Sequence, residues 1–465
     1  MPPKGWGLVI GTAAALAALG TGAFADTIET ALSQAYQNNP QLNAQRASVR
    51  ATDENVPQAL AGYRPRISVT GSGGVQYNDT KTSTTVGNAT VTTQSNNTFY
   101  PRGVGATATQ TLFNGFQTGN RTRQAESQVA AARETLRTVE QAVLLDAVTA
   151  YMNLLRDTAI LDLQRRNVEV IQEQLRQTRD RFNVGEVTRT DVAQAESRVA
   201  AAQSQMLQAQ SNYVTSRAIY RRVIGVEPGK LAPGTPVDRL SPRTLPLAVA
   251  QGQAENPSVS AAEYGVDVAA LQVKVSEGAL YPVVTVQGSV QQNFEPSANV
   301  ERQFTAAAIG QITVPIYQGG SEYSLIRQSK ETVGQRRLEL AVNRDQARAN
   351  VVQAWGQLDA AKAQIEATRA QVTAAEIALN GVREEARVGQ RTTLDVLNAQ
   401  QELVNARVAL VTAQRDRVVA SYTLLSATGR LSAAVLGLQV PIYDVITHYQ
   451  QIRDSWFGVR TPDGR

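Results

Sequence analysis

Two hydrophobic periods divide this 465-residue chain. From residue 66 to 77 apolar and polar positions alternate, with Ile67, Val69, Val75 and Tyr77 on one side and Ser68, Thr70, Ser72 and Gln76 on the other. This is the period of a half-covered β-strand. Val284, Val286, Val290 and Phe294 oppose Thr285, Gln287, Ser289 and Gln291 in the same way. Returning segments near Val104–Leu112 and Phe304–Ile316 also alternate, so four strands are expected, in hairpins at about 66–112 and about 282–316. Asn78 to Thr98 is Thr, Asn, Ser and Gly almost throughout, as expected of an exposed loop that packs on nothing.

Beyond each hairpin the period becomes seven. Leu154, Leu161, Val168, Leu175 and Phe182 are spaced so, as are Leu358, Ile365, Val372, Leu379 and Ala386. The rhythm returns in Val192, Val199, Met206, Tyr213 and Tyr220, and in Val396, Leu403, Leu410 and Leu424, with Arg417 interrupting. Sustained sevens make packed helices supercoil left-handedly. No proline falls between Pro101 and Pro228 or between Pro315 and Pro441, although the chain has 17. Residues 117–183 can therefore run as one helix on the order of 100 Å long, at about 1.5 Å per residue. Val184-Gly185 and Val388-Gly389 mark the reversals, because glycine accepts the left-handed conformation that ends a helix.

The whole motif is written twice. Thr27, Asn39, Pro40, Pro65 and Gly71 recur 217 positions later as Thr244, Asn256, Pro257, Pro282 and Gly288. Gly115, Leu154, Val184, Gly185, Thr188, Asp191, Val192, Ala195 and Gly225 recur 204 positions later as Gly319, Leu358, Val388, Gly389, Thr392, Asp395, Val396, Ala399 and Gly429. The register changes once, between the strands of the hairpin, where the first copy has the longer loop. A repeat of this length is a duplicated domain. The chain thus divides into residues 1–25, a first repeat at 26–225 with its helical hairpin at 117–224, a linker at 226–243, a second repeat at 244–429 with its helical hairpin at 320–428, and a C-terminal segment at 430–465.

Residues 1–25 read as a secretory signal: Lys4, an apolar run from Leu8 to Leu19, then Ala23-Phe24-Ala25 before Asp26. The mature chain is expected to start at Asp26. A membrane anchor is the weaker reading, since about 12 apolar residues fall short of the roughly 20 that cross a bilayer. There is no cysteine, so a disulfide framework, a thiol nucleophile and a lipid-modified cysteine are excluded. No other run reaches 18 apolar residues, so any crossing is made by a β-barrel. The pI of 9.4 could suggest nucleic acid, but Glu and Asp lie among the basic residues, as on a solvated helix face, and no nucleic-acid partner is expected.

Four strands cannot close a barrel, and open edges in lipid leave backbone groups unpaired. Two chains would supply eight strands, whose interior side chains fill, while three would supply twelve and leave a lumen. The small polar face favours the homotrimer. A soluble β-sandwich with one wet face is the alternative on the strands alone, and a coiled-coil scaffold the alternative on the helices alone. The fold class expected is mainly α with membrane β: a duplicated β-hairpin plus long coiled-coil helical hairpin, as a trimer with a 12-stranded β-barrel continuous with an α-helical barrel.

Asn39-Pro40 with Tyr63-Arg64-Pro65, their copies Asn256-Pro257 and Tyr281-Pro282, and the tips RFNVGEVTRTDVAQA from Arg181 and ARVGQRTTLDVLNAQ from Ala386 together resemble the TolC family of outer-membrane export ducts, over nearly all of the mature chain. The resemblance implies a trimer in outer-membrane lipid with its helical barrel in the periplasm, and a band around the middle built from 226–245 and 441–465. It also implies two partners, a periplasmic adaptor (membrane fusion) protein and an inner-membrane ABC or proton-driven transporter, whose engagement opens the closed periplasmic end. Val184, Gly185, Val388 and Gly389 match the adaptor-docking tips. At the periplasmic gate, Arg391 matches a position that bonds across to the neighbouring hairpin, Asp191 its acidic partner, and Asp395 an acidic ring. Two positions depart: the second acidic ring is Asn398 here and an aromatic gate position is Ala386, which implies a less cation-selective, less tightly latched constriction.

The Asp residues have a second reading. Thr188 with Asp191 and Thr392 with Asp395 fit a capping pattern at a helix start, and capping and gating can coexist. Enzymatic chemistry has no foothold: one histidine, His448, and no cysteine build neither a zinc site nor a Cys-His pair. His448 is expected to be packed or on the surface, and Tyr151 and Trp355 to be packing residues at equivalent positions. No phosphate-cradling glycine loop and no cofactor site are found, so transport energy must come from a partner. An export duct explains signal, strands, heptads and duplication together; a periplasmic adaptor or a secreted enzyme does not. Protein secretion and small-molecule efflux both remain open as cargo, with the missing N-terminal Cys leaning toward protein, since many drug-efflux relatives are lipid-anchored.

Overall fold

The computed structural model describes residues 26–297, 299–462 and 464; the secretory segment expected at 1–25 lies outside the described residues. The chain opens with α1 (Ile28–Asn38) and α2 (Pro40–Asp53). Asn39 separates them: its side-chain oxygen accepts from the N–H groups of Gln41 and Leu42, and Pro40 sits at the first helical position, where its missing N–H costs nothing. A short α3 (Asn55–Leu60) follows. Pro57 has no N–H to offer the carbonyl of Asp53, so the helix breaks there.

Strands β1 (Arg66–Gly73), β2 (Gln76–Val86), β3 (Ala89–Phe99) and β4 (Arg102–Asn114) lead into the helical hairpin α4 (Gln117–Asn183) and α5 (Arg189–Ile224). The second copy then runs α6 (Leu245–Glu255), α7 (Pro257–Gly278), β5 (Val283–Ser297), β6 (Val300–Thr313), α8 (Ser321–Arg387) and α9 (Thr393–Ala427). Helices α4 and α8 have 67 residues each. Helix α7 is unbroken because Lys274 stands where the first copy has Pro57. The short α10 (Ala433–Leu436) and α11 (Thr447–Ile452) close the chain.

The segment expected to be a loop, Asn78 to Thr98, is instead the β2–β3 ribbon, paired from Gln76↔Phe99 to Val86↔Ala89. Its polarity keeps both faces in water, as expected, but β-branched threonines favour the extended backbone and Gly87, at φ +68°, takes the positive φ of a two-residue hairpin turn. The expected strand over 66–77 is correspondingly interrupted between Gly73 and Gln76, and the expected Phe304–Ile316 strand runs from Val300 to Thr313.

Strands β1, β4, β5 and β6 form one antiparallel sheet in the order β1-β4-β5-β6, so the hairpins of the two copies join through β4 and β5. Its register sorts the side chains. Ile67↔Ala108↔Gly288↔Ala308 and Val69↔Ala106↔Val290↔Ala306 form apolar rows across all four strands, as Val284↔Ile312 does on two. The opposite face carries Ser68↔Thr107↔Ser289↔Ala307 and Thr70↔Gly105↔Gln291↔Thr305. One face suits hydrocarbon and the other water. Strands β1 and β6 each keep one unpaired edge.

Packing in the helical hairpins differs in detail from the seven-residue stripes read in the sequence. Leu154, Leu161 and Val168 are buried on α4 and Tyr220 on α5, but nearer the tip the buried line of α5 is Ala195, Ala202, Ala209 and Ser216, with Val199 and Met206 only half-covered and Phe182 of α4 42% exposed. Small residues let the helices approach closely, and the larger neighbours lie over the seam. The interruption at Arg417 is a docking point: its guanidinium holds Asp238 of the linker by two hydrogen bonds. The main core lies where the linker and C-terminal segment cross the helices, and is built from Leu32, Leu42, Leu144, Tyr151, Tyr220, Tyr422 and Leu425 among others. Tyr151 is fully buried there, its hydroxyl 2.7 Å from the carbonyls of both Asp26 and Ala232, and Trp355 packs against a smaller cluster.

Candidate functional site at the hairpin tips

Both helical hairpins turn in the same way. The Gly185 N–H donates to the Phe182 carbonyl and that of Glu186 to Arg181; Gly389 and Gln390 do the same to Ala386 and Glu385. These paired bonds close the last turn around a residue in the left-handed region, with φ +84° at Gly185 and +81° at Gly389. No atom lies within 4 Å of where a Cβ would sit on either glycine, so glycine is needed there for its backbone and not for space. Val184 and Val388 are 72% and 71% exposed, which leaves an apolar side chain standing in water at each tip.

The next helix starts on a reciprocal cap in both copies. Asp191 Oδ2 accepts from the Thr188 N–H at 2.9 Å and from its hydroxyl at 2.7 Å, while the Thr188 hydroxyl oxygen accepts from the Asp191 N–H. Asp395 and Thr392 repeat this at 3.0 and 2.9 Å. The Thr188 hydroxyl, then its N–H, hold the Asp191 carboxyl below its ordinary range; for Asp395 the Thr392 N–H is the larger cause and the hydroxyl the second. Both are therefore carboxylates that accept and do not donate at neutral pH.

Arg391 donates from Nε to Glu385 Oε2 at 2.8 Å, and this bond, with the charges of Glu385 and Asp395, raises its pKa further. The pair belongs to one hairpin and both side chains are about half exposed, so it is weak and exchangeable. Within the chain, two polar bonds cross between hairpins above the tips: Arg198 Nη2 donates to Asn398 Oδ1 at 2.6 Å, and Gln400 Nε2 to Asn167 Oδ1 at 3.5 Å. Arg198 stands seven residues beyond Asp191 and Asn398 seven beyond Arg391, so each shares a helical face with a candidate gate residue. Arg198 was not singled out in the sequence; that spacing was the signal that could have found it. Leu397, beside Asn398, is buried against Val168, Ile171, Ala195 and Ala202 of the first hairpin.

A sheet with one apolar face therefore sits at one end of paired helices about 100 Å long, and two capped, apolar-tipped turns sit at the other. The model of the family described as outer membrane efflux protein matches residues 31–226 and 248–430. The chain belongs to that family. It is the TolC family of the sequence's resemblance, and its members are outer-membrane channels, not enzymes. The outer membrane efflux protein BepC of Brucella suis is 44% identical over 447 residues, which cover 96% of this chain and 94% of BepC. The alkaline protease secretion protein AprF of Pseudomonas aeruginosa is 25% identical over 411 residues, covering 87% and 84% respectively. In fold, the Campylobacter jejuni CmeC outer membrane channel superposes with a TM-score of 0.75 at 14% identity, over 92% of this chain and 89% of that one. The protein is an outer-membrane efflux channel of tripartite type, with its helical barrel in the periplasm.

Proposed function

We propose that three copies of this chain close a twelve-stranded barrel and a continuous tube of six helical hairpins, and that this tube is the outer duct of a type I protein secretion machine. The sheet is the observation that carries the reading. It offers hydrocarbon a continuous apolar face but leaves an edge of β1 and of β6 unpaired, and each unsatisfied backbone group in lipid costs several kcal/mol. Pairing β6 of one copy with β1 of the next removes both edges. The helices support the same closure, since Leu207 and Val214 on α5 and Leu338 and Val342 on α8 are exposed in the single chain.

At the far end, the tips Val184-Gly185 and Val388-Gly389 dock a periplasmic adaptor, and an inner-membrane transporter of the ABC class supplies the energy. Asp395, three times around the axis, forms an acidic ring. Arg391 exchanges its exposed Glu385 for Asp191 of a neighbouring hairpin when the gate is shut. AprF, a protease secretion protein by name, supports protein as cargo. BepC, an efflux protein by name, favours the second reading, small-molecule efflux. Comparing the secreted proteins of a deletion strain with its parent by mass spectrometry decides between them: loss of one or a few abundant proteins is expected, and an unchanged secretome moves the assignment to small-molecule efflux.

A further inference from the structure

The C-terminal segment climbs beside the first repeat, from the middle of the molecule to the foot of the sheet. The Tyr443 N–H donates to the Tyr36 hydroxyl at 3.1 Å, and the Arg46 guanidinium lies over both rings. Further on, His448 Nδ1 is 3.1 Å from the buried carboxylate of Asp53, and Tyr449 packs with Val56, Ala125 and Val129 while Arg133 lies over its ring. Arg453 then pairs with Glu126, and Arg64 donates to the Ser455 carbonyl at 2.5 Å with its guanidinium 4.7 Å from the Trp456 ring. The contacts step from residue 36 to 64 as the segment steps from 443 to 456, and Arg64 lies two residues before β1.

What this ladder delivers is apolar and uncovered. Trp456 is 67% exposed, Phe457 93% and Val459 100%. A chain that buries Tyr151, Tyr220 and Tyr422 completely has no packing reason to leave its last aromatics in water. Their level is set by the sheet: Phe113, Phe116 and Tyr281 form an edge-to-face cluster at the feet of β4 and β5, where the apolar rows end. Aromatic rings with a polar neighbour concentrate at the boundary between hydrocarbon and water, and arginines there meet phosphate headgroups.

We infer that Trp456, Phe457 and Val459 insert into the periplasmic leaflet of the outer membrane, with Arg64 beside them facing phospholipid phosphate. The C-terminal segment is then a strap joining the periplasmic helices to the lipid boundary. This rests on the outer-membrane location and on neither the cargo nor the gate.

The test is fluorescence of the full chain carrying Trp6→Phe and Trp355→Phe, reconstituted in phosphatidylethanolamine and phosphatidylglycerol vesicles, so that Trp456 is the one tryptophan left. Bromines placed on the acyl chains near the headgroup should remove about half of its emission, and bromines near the chain ends much less, as for a ring lying at the boundary. Emission that is blue-shifted but indifferent to bromolipid would put Trp456 against a neighbouring copy and overturn the assignment. Emission open to aqueous acrylamide and unchanged by bromolipid would overturn it equally. If Trp355→Phe disturbs folding, subtracting the quenching of Trp456→Phe from that of the unaltered chain yields the same quantity.

Discussion

Asp191 and Asp395 show how one carboxylate can serve two purposes. As helix caps they need to be ionised and fixed, and those are the properties an acidic ring in a narrow aperture requires. Replacing Thr188 or Thr392 by alanine removes one cap and should cost about 1 kcal/mol locally, read as faster amide exchange in the first turn of α5 or α9 with the distal helix unchanged. Because hydrogen bonds lower both carboxyl pKa values in the folded chain, their contribution to stability is fully present above the ordinary carboxylate pKa of about 4 and is lost as pH falls through the lower folded value. Protection of the tip amides, taken against the intrinsic exchange rate at each pH, should thus be constant from neutral pH to about pH 5 and fall only below that; a loss already at pH 6 counts against capping. Asp53 works in the opposite sense. Burial outweighs His448 and Arg133 and raises its pKa, so its contribution weakens as pH rises through that raised value.

At the scale of elements, the sequence exposed what periodicity governs and concealed what close approach governs. Proline spacing and two VG turns located the long helices, because each is a local backbone constraint. The seam of α5 was legible at Tyr220 but not along Ala195, Ala202 and Ala209, because alanine carries little hydrophobic signal although these three are buried in that seam. Ala202→Leu should therefore overpack the seam and destabilise the extracted protein by roughly 1–3 kcal/mol, more than Met206→Ala, as compared by thermal melting. An equal or smaller loss would return the seam to the larger residues. The β2–β3 ribbon was hidden for a related reason: hydrophobic alternation reports a face that is buried, and this ribbon buries neither. Likewise Arg198 was lost among evenly spread helix charges, and only the fold brings it to Asn398.

For the whole molecule, the pairing inside one chain predicts the pairing between chains. Thr107 of β4 lies opposite Ser289 of β5. Their counterparts by the repeat are Gln311 of β6 and Ser72 of β1, at the two free edges. A Ser72→Cys, Gln311→Cys chain should cross-link into covalent trimers on oxidation, while either single variant should not; monomers only would count against closure in this register. In bilayer recordings Asp395→Ala should lower cation selectivity, and unchanged selectivity would remove it from the aperture. Arg391→Ser should raise the closed-state conductance, whereas a value equal to that of the parent would leave Arg391 as the partner of Glu385 alone.

The β4–β5 junction also bears on the ring's symmetry. Since β4 is to β5 what β6 is to the next copy's β1, the closed assembly has six near-equivalent seams, of which three are internal to a polypeptide and three are free to part. Two sequences alternate around what is geometrically a pseudo-sixfold axis, so a partner approaching from the periplasm meets grooves of two kinds and can prefer one. Duplication thereby breaks a sixfold surface into a threefold one, and gives a ring that could have been built from half-length subunits two distinguishable sets of docking positions.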